Sequence, residues 1–306
     1  MEFRTLRAFV EVVRQGGFTQ AAKTIFATQS TVSKAVKQLE DEIGAPLLDR
    51  AGHGATLTAA GEIVFSRAVR LLNEREDLMA ELDELGELKR GTLRLGLPPV
   101  CSGKIFAPYF AVYRRRYPQI DVRLTEFGAE RLEDLLLAGK IELAASLVPV
   151  DERFQSQDVK RDQLVAAIGL CNPLSQRSSV SLADLQNQPL ILFDETFALT
   201  RIVLESCRSL GIAPEIVARS TQVDFIVELV AAGLGVAFLP SIAVDEWPHP
   251  AVAYVPITSP AIVYHTTMVW RAGGFLSHAA QAWLGLMREA ADHGPSNPQA
   301  PHSVLD

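Results

Sequence analysis

Residues 17–37 read Gly17-Phe18-Thr19-Gln20-Ala21-Ala22-Lys23-Thr24-Ile25-Phe26-Ala27-Thr28-Gln29-Ser30-Thr31-Val32-Ser33-Lys34-Ala35-Val36-Lys37. Thr19 suits the N-cap of a short helix carrying Ala21, Ala22 and Ile25, and Phe18 before it suits a hydrophobic staple. Thr28 suits the cap of a second helix, whose apolar stripe is Val32, Ala35, Val36, Leu39 and Ile43. Gly44 ends that helix and Pro46 blocks its continuation. Small Ala21 and Ala22 let the two helices cross closely, and a three-residue break separates them. Those are the dimensions of a helix-turn-helix. The outer face of the second helix shows Gln29, Ser30, Thr31, Ser33, Lys34 and Lys37. Glutamine matches the N6/N7 edge of adenine, Ser and Thr reach bases or phosphates, and the lysines neutralise phosphates. Amides at the helix start can also hold a phosphate. The same residues also fit the solvated face of an ordinary small helical bundle.

Working outward, Leu6, Phe9, Val10 and Val13 fall at i, i+3, i+4 and i+7, which predicts a helix stopped by Gly16-Gly17. On the other side, Pro46-Leu47-Leu48-Asp49-Arg50 and Ala55-Thr56-Leu57-Thr58 flank Gly52 and Gly54, which predicts two short strands around a tight turn. From Thr58 a long helix is predicted. Val64, Ala68, Leu71, Arg75, Leu78, Leu82 and Leu85 form a heptad seam with one polar interruption. One helix cannot bury such a seam alone, so a dimer along it is expected.

Beyond residue 90 strand and helix patterns alternate. Strands are predicted at 92–97, 120–126, 141–147, 163–170, 189–193, 215–220, 235–239, 252–257 and 263–270. Helices are predicted at 103–116, 130–138, 198–210, 223–233 and 276–291. Such alternation predicts a mostly parallel sheet covered on both faces, in two lobes. The fold class is therefore α+β in two parts. Residues 1–58 form a DNA-reading domain, 59–90 a linker helix, 91–294 a two-lobed α/β domain, and 295–306 a mobile tail.

Composition narrows the function. The chain has 306 residues, 48% hydrophobic and 21% charged, enough apolar content for real cores. Its net charge of −7 argues against a general polyanion binder. Residues 1–58 carry 7 basic and 6 acidic residues, the least acidic zone, which is where a nucleic-acid contact belongs. Cys101, Cys171 and Cys207 are too far apart for a disulfide framework or a zinc site. The N-terminus lacks a signal-peptide layout, and the longest apolar run, Leu229 to Leu239, is too short for a membrane span. A soluble cytoplasmic protein is expected, with no cofactor and no metal. None of the six histidines sits in a recognised catalytic spacing, and no nucleophile elbow or phosphate loop is present, so an enzyme is not expected.

The N-terminal residues resemble the LysR-type transcriptional regulators. The resemblance rests on Leu6-Arg7-Ala8-Phe9, Gly17 to Ala22, Thr28 to Lys34, Leu39-Glu40, Ile43-Gly44, Pro46-Leu47-Leu48, Arg50, Leu57-Thr58 and Ala60-Gly61. It continues through Leu93-Arg94-Leu95-Gly96, Tyr117-Pro118, Leu136, Gly139 to Ala144, and Gly233 to Pro240. It implies a winged helix-turn-helix, a dimerising linker helix, and an effector domain like a periplasmic binding protein. A homodimer or homotetramer that bends promoter DNA, with RNA polymerase as a further partner, is also implied. DNA contacts are implied at Gln29, Ser30, Thr31, Ser33 and Lys34, and at Arg50 and His53 in the wing. Two departures stand out. Leu48 replaces a common Phe, and the wing tip Ala51-Gly52-His53-Gly54 lacks the usual Arg or Lys. His53 is mostly neutral at pH 7, so the wing releases fewer counterions. Arg50 fits equally well as a structural ion-pair partner.

In a two-lobed α/β domain, ligands bind at the carboxyl ends of strands, between the lobes. Ser102, Gly128, Thr196 and Arg201, with Phe127 and Phe197 as walls, are the expected contacts for a small organic anion. Ser102 and Thr196 also fit plain helix capping, and Arg201 fits an ordinary surface residue. Asp194 and Glu195 would repel an anion, which leaves a zwitterion or a hydroxyl-rich ligand open. Cys101 lies beside this region, where a spectator thiol is favoured over a redox sensor. The alternative function is a cytoplasmic small-molecule binding protein with no DNA role. The DNA-reading segment speaks against it.

Overall fold

The computed structural model describes residues 1–49, 55–83, 91–100 and 102–292. Arg50, His53 and Cys101, the seam residue Leu85 and the tail 295–306 lie outside the described residues. The chain forms two compact units.

The first unit opens with α1 (Phe3–Arg14), α2 (Phe18–Thr24) and α3 (Gln29–Ile43). Leu6, Phe9, Val12, Ala21, Val32, Val36 and Leu39 meet in one buried core. Each large apolar side chain buried there contributes about 1.5–3 kcal/mol. Gly16, at φ +67°, turns the chain out of α1, and Gly44, at φ +77°, caps α3 in the left-handed region that other residues enter at a cost. The start of α2 differs from the sequence expectation. Gly17 is its N-cap and Thr19 lies inside the first turn. The Gly17 carbonyl already accepts from the Ala21 amide at 3.1 Å, so the helix begins before Thr19 can cap it.

After α3, β1 (Leu48–Asp49) and β2 (Thr56–Leu57) pair antiparallel, and α4 (Ala59–Asp83) follows. Five hydrogen bonds tie these pieces together. Glu40 Oε1 accepts from the amides of Leu47 at 2.9 Å and Leu48 at 3.3 Å. The Thr58 hydroxyl donates to the Pro46 carbonyl at 2.7 Å and accepts from the Gly61 amide at 3.0 Å, which makes it the cap of α4 as the sequence predicts. The Thr58 amide donates to the Leu47 carbonyl at 3.0 Å.

The seam on α4 divides in two. Ala68 is buried and Val64 partly buried in the core of the first unit, where Phe65 meets Phe9 edge-on at 6.4 Å. Leu71, Leu78 and Leu82 are 42%, 55% and 51% exposed. The polar interruption has a local reason. The Arg75 guanidinium lies 5.7 Å over the Phe3 ring, a cation–π contact.

The second unit contains β3 (Gly91–Leu97), α5 (Ser102–Arg116), β4 (Ile120–Glu126), α6 (Ala129–Leu137), β5 (Leu143–Leu147) and β6 (Phe154–Gly169). It continues with β7 (Leu190–Phe193), α7 (Ala198–Ser209), β8 (Ile216–Ser220), α8 (Val223–Ala231), β9 (Val236–Pro240), β10 (Val252–Pro256), β11 (Val263–Arg271) and α9 (His278–Asp292). Strand order is β4-β3-β5-β11-β6-β9-β7-β8, with β10 also on β6.

The sheet is mixed rather than mostly parallel. β3 pairs parallel with β4 and β5, and β7 pairs parallel with β8 and β9. β11 runs antiparallel to β5 and β6, and β6 runs antiparallel to β9 and β10. The cause is β6, which begins at Phe154, well before the strand predicted from residue 163. Its first part, up to Gln163, pairs with β11, while Leu164 onward pairs with β9 and β10. One long strand thus serves both lobes. The first lobe holds β4, β3, β5, β11 and the start of β6, and the second holds the rest. A buried aromatic group closes the first lobe: Trp283 of α9 meets Phe110 at 4.9 Å and Tyr113 at 5.3 Å.

Candidate functional sites

The first candidate site is the start of α3. Thr28 caps it, its hydroxyl accepting from the Thr31 amide at 3.2 Å. The same hydroxyl lies 2.9 Å from Ser30 Oγ and 2.8 Å from Thr31 Oγ1. Gln29, Ser30, Thr31, Lys34 and Lys37 are exposed and Ser33 is half-buried, while Val32, Ala35, Val36 and Leu39 turn inward. The first turn carries no acidic residue, so nothing there opposes a phosphate at the helix N-terminus. Six of the eight expected contacts therefore lie on one helix, five of them within its first six residues. Phe26, to which the sequence assigns no role, is 98% exposed at φ +54°, two residues before the cap. Only its being an apolar residue in a turn could flag it.

The second candidate site is the cleft between the two lobes of the second unit. A cavity of about 20 Å³ lies there, lined by apolar Pro98, Val100, Leu147, Phe197 and Leu199 and by polar Ser146, Tyr264 and Thr266, among others. That space holds about one water-sized group. The first-turn residues Ala129 of α6 and Ala198 of α7 also line it. The N-cap of α7 is Phe197, which makes no side-chain capping bond, so the leading amides of α7 have no side-chain acceptor from it.

The expected effector residues are distributed as follows. Phe197 is buried in the cavity wall and stacks on Phe193 at 5.2 Å. Gly128 is buried against Thr196, and a Cβ on Gly128 would stand 2.5 Å from the Thr196 carbonyl oxygen. The lobes pinch together at this point. The Thr196 hydroxyl donates to Asp194 at 2.9 Å, and the Thr196 amide donates to the same carboxylate at 3.1 Å. Those two bonds hold the Asp194 carboxyl below the usual range. Ser102 starts α5, and its hydroxyl donates to the Pro98 carbonyl. Phe127 and Arg201 are exposed. The polar cavity residues that sequence reading misses are Ser146, Tyr264 and Thr266. Ser146 lies at the carboxyl end of a fully buried strand and is findable by that rule. Thr266 lies on antiparallel β11, which the rule does not reach.

Gly128→Ala is expected to destabilise the second unit by about 1–3 kcal/mol, because the opposing group is backbone and cannot swing away. A thermal melt of the full chain should show a lowered transition, and an unchanged melt would mean the pinch is not held.

Among the described residues, no group of His, Cys, Asp and Glu is placed to hold a metal ion, and no helix is long and apolar enough to cross a membrane.

Comparison with known proteins adds the lineage. Residues 3–62 match the model for the bacterial regulatory helix-turn-helix protein, lysR family, and residues 86–292 match the LysR substrate binding domain. The chain is 31% identical over 285 residues to the HTH-type transcriptional regulator YwbI of Bacillus subtilis, covering 93% of this chain and 95% of that one. It is 31% identical over 296 residues to the probable regulator LrrA of Synechococcus elongatus, covering 95% and 98%. Among solved structures, a full-length OxyR variant from Pseudomonas aeruginosa matches with TM-score 0.67 at 24% identity, covering 98% of this chain and 99% of that one. Full-length CbnR complexed with its target DNA matches with TM-score 0.58 at 23% identity, covering 94% and 99%. With a donor-lined helix in one unit and a cleft between lobes in the other, matched by two family models in that order, the chain belongs to the LysR family of DNA-binding transcriptional regulators.

Proposed function

We propose that this regulator reads promoter DNA through the start of α3 and takes a small organic effector in the cleft of its second unit. Gln29 is the base reader, Ser30, Thr31 and Ser33 contact base edges or phosphates, and Lys34 and Lys37 hold the backbone. Arg50 and His53 are assigned to the wing on resemblance alone. The observation that carries the DNA assignment is the acid-free, capped start of α3 with its donors clustered on the outer face. The exposed Leu71, Leu78 and Leu82 support pairing of two copies along α4, and a homotetramer of such dimers. Effector binding would close the lobes, shift the population of dimer spacings, and so alter DNA bend and access for RNA polymerase. The protein acts in the cytoplasm without catalysing a reaction. Some relatives carry the name "Hydrogen peroxide-inducible genes activator"; in this chain Cys207 is buried, and burial pushes its thiol up, away from the reactive thiolate, while Cys171 is exposed and Cys101 lies outside the described residues.

A mobility shift with the DNA upstream of its own gene, at two salt concentrations, tests the assignment. Gln29→Ala should cost about 1–3 kcal/mol at one base position and relax the preference there. Lys34→Ala should weaken every sequence alike and reduce the salt slope by about one. Equal effects of both variants on all sites would sink the division of roles.

A further inference from the structure

The two lobes of the second unit share β6, and that strand changes partner abruptly. Gln163 is still in register with Val263 of β11, while Leu164 faces Pro240 of β9. Hinges form at such strand-terminal positions. Pro240 ends β9 and has no amide to donate, so the backbone ladder cannot continue through it. A side chain takes over. Asp162 is in register with Tyr264 of β11, which places it in the first lobe. Its carboxylate accepts from the Ser241 hydroxyl at 2.5 Å and from the Ile242 amide at 2.7 Å. Both donors open a short 3₁₀ helix, Ser241–Glu246, that follows β9 in the second lobe. Hydrogen bonds to a carboxylate at such lengths are about twice as strong as neutral ones.

The far end of the same short helix also reaches the first lobe. Asp245 lies 3.8 Å from Lys104 of α5, and Glu246 Oε1 would stand 3.8 Å from a Cβ on Gly103. Trp247, which ends the helix, is tied to the second lobe, its carbonyl accepting from the Tyr254 hydroxyl of β10. A six-residue piece rooted in one lobe is thus fastened at both ends to the other. The two fastenings differ in strength. Lys104 and Asp245 are exposed, and an exposed pair contributes little. Asp162 is half-buried and holds two donors at once, one of them a backbone amide. The approach of Gly128 to Thr196 only stops the lobes from coming closer, because it is a contact of backbone against backbone.

We propose that Asp162 is the lock of the joint between the lobes. Its carboxylate pins the 3₁₀ helix of the second lobe to the first-lobe half of β6, and this sets the angle at which the lobes meet. Released, the lobes swing about the step from Gln163 to Leu164 while each keeps its own strands paired. Asp162 is a positioning residue: its side chain does not line the cavity. The lock acts in the free chain and holds whatever molecule the cleft takes.

The test measures the distance between the lobes in the full chain. Arg131 of α6 and Arg208 of α7 are exposed, one on each lobe, and take spin labels through non-natural residues, which leaves the cysteines untouched. Labelled chain is mixed with excess unlabelled chain, so that only distances within one copy are read. Pulsed dipolar spectroscopy should give one narrow distance for the otherwise unchanged protein. Asp162→Ala should widen that distribution about twofold or more. Ser241→Ala removes one of the two donors and Asp162→Asn keeps a carbonyl acceptor, so both should fall between. An unchanged width in Asp162→Ala overturns the proposal even where the melting temperature drops, because a lowered melt alone marks an ordinary structural bond. A broad distribution before any change at Asp162 overturns it as well. Where Asp162→Ala fails to fold, the two milder variants decide, and widths equal to that of the parent in both overturn the lock.

Discussion

Gly61→Ala should lower the stability of the first unit by about 3 kcal/mol or more and weaken DNA binding at least tenfold. Two effects oppose each other at this position. Gly61 lies in the first turns of α4, where alanine is favoured over glycine by about 1 kcal/mol on helix propensity. Its Cβ, however, would stand 2.0 Å from the Leu47 carbonyl oxygen. That oxygen is fixed, since it already accepts from the Thr58 amide, and Leu47 itself is fully buried. Neither partner can move by rotating a side chain, so the clash wins and the start of α4 must pull away from the core. The capping bond from the Gly61 amide to Thr58 goes with it. Denaturant unfolding of the full chain and a binding titration would measure both losses. A variant as stable as the wild type, or more stable, would mean that α4 begins free of the Leu47 backbone.

Glu40→Ala carries the second large effect, about 3 kcal/mol. The Glu40 carboxylate is the acceptor for two consecutive amides, those of Leu47 and Leu48. Both residues are buried, so water cannot replace the lost acceptor. Glu40→Gln keeps an oxygen in place and should recover most of the stability, since its amide group needs only to present its carbonyl. Comparing the two variants by thermal melting separates the acceptor from the charge. If Gln proves as damaging as Ala, the charge rather than the geometry is what matters.

The first unit is legible almost residue by residue because each of its devices is local. A capping threonine, a glycine at positive φ and a 3.6-residue stripe act within a few positions of each other. Thr28, Gly44 and Thr58 are found where their sequence neighbours place them. Glu40 is different. In the sequence it is only half of the Leu39-Glu40 resemblance, but its partners are seven and eight residues away across a turn, and no local pattern names them.

The same contrast runs through the second unit. Parallel strands with buried runs, such as Leu143–Leu147, read plainly from hydrophobicity. The first half of β6 does not, because Gln155, Ser156, Asp158 and Lys160 dilute its apolar signal. Its pairing with β11 spans more than a hundred residues of chain. Thr266 is invisible for the same reason, being placed by that distant pairing rather than by anything beside it. Gly128 and Thr196 stand out in the sequence as ligand contacts, and what brings them together is a close backbone approach that only three dimensions reveal.

The route of the chain through β6 and β11 also dictates an order of events during synthesis. The first lobe of the second unit needs β11 and α9, which begin only at Val263 and His278. Everything between Leu164 and Ile257 emerges from the ribosome earlier and belongs to the other lobe. The early strands β3, β4 and β5 must therefore wait, with an open edge, until β11 has been made. A truncated product ending anywhere before Val263 would expose the edge of β5 where β11 belongs, and proteolysis should clear it well before it could compete for a promoter.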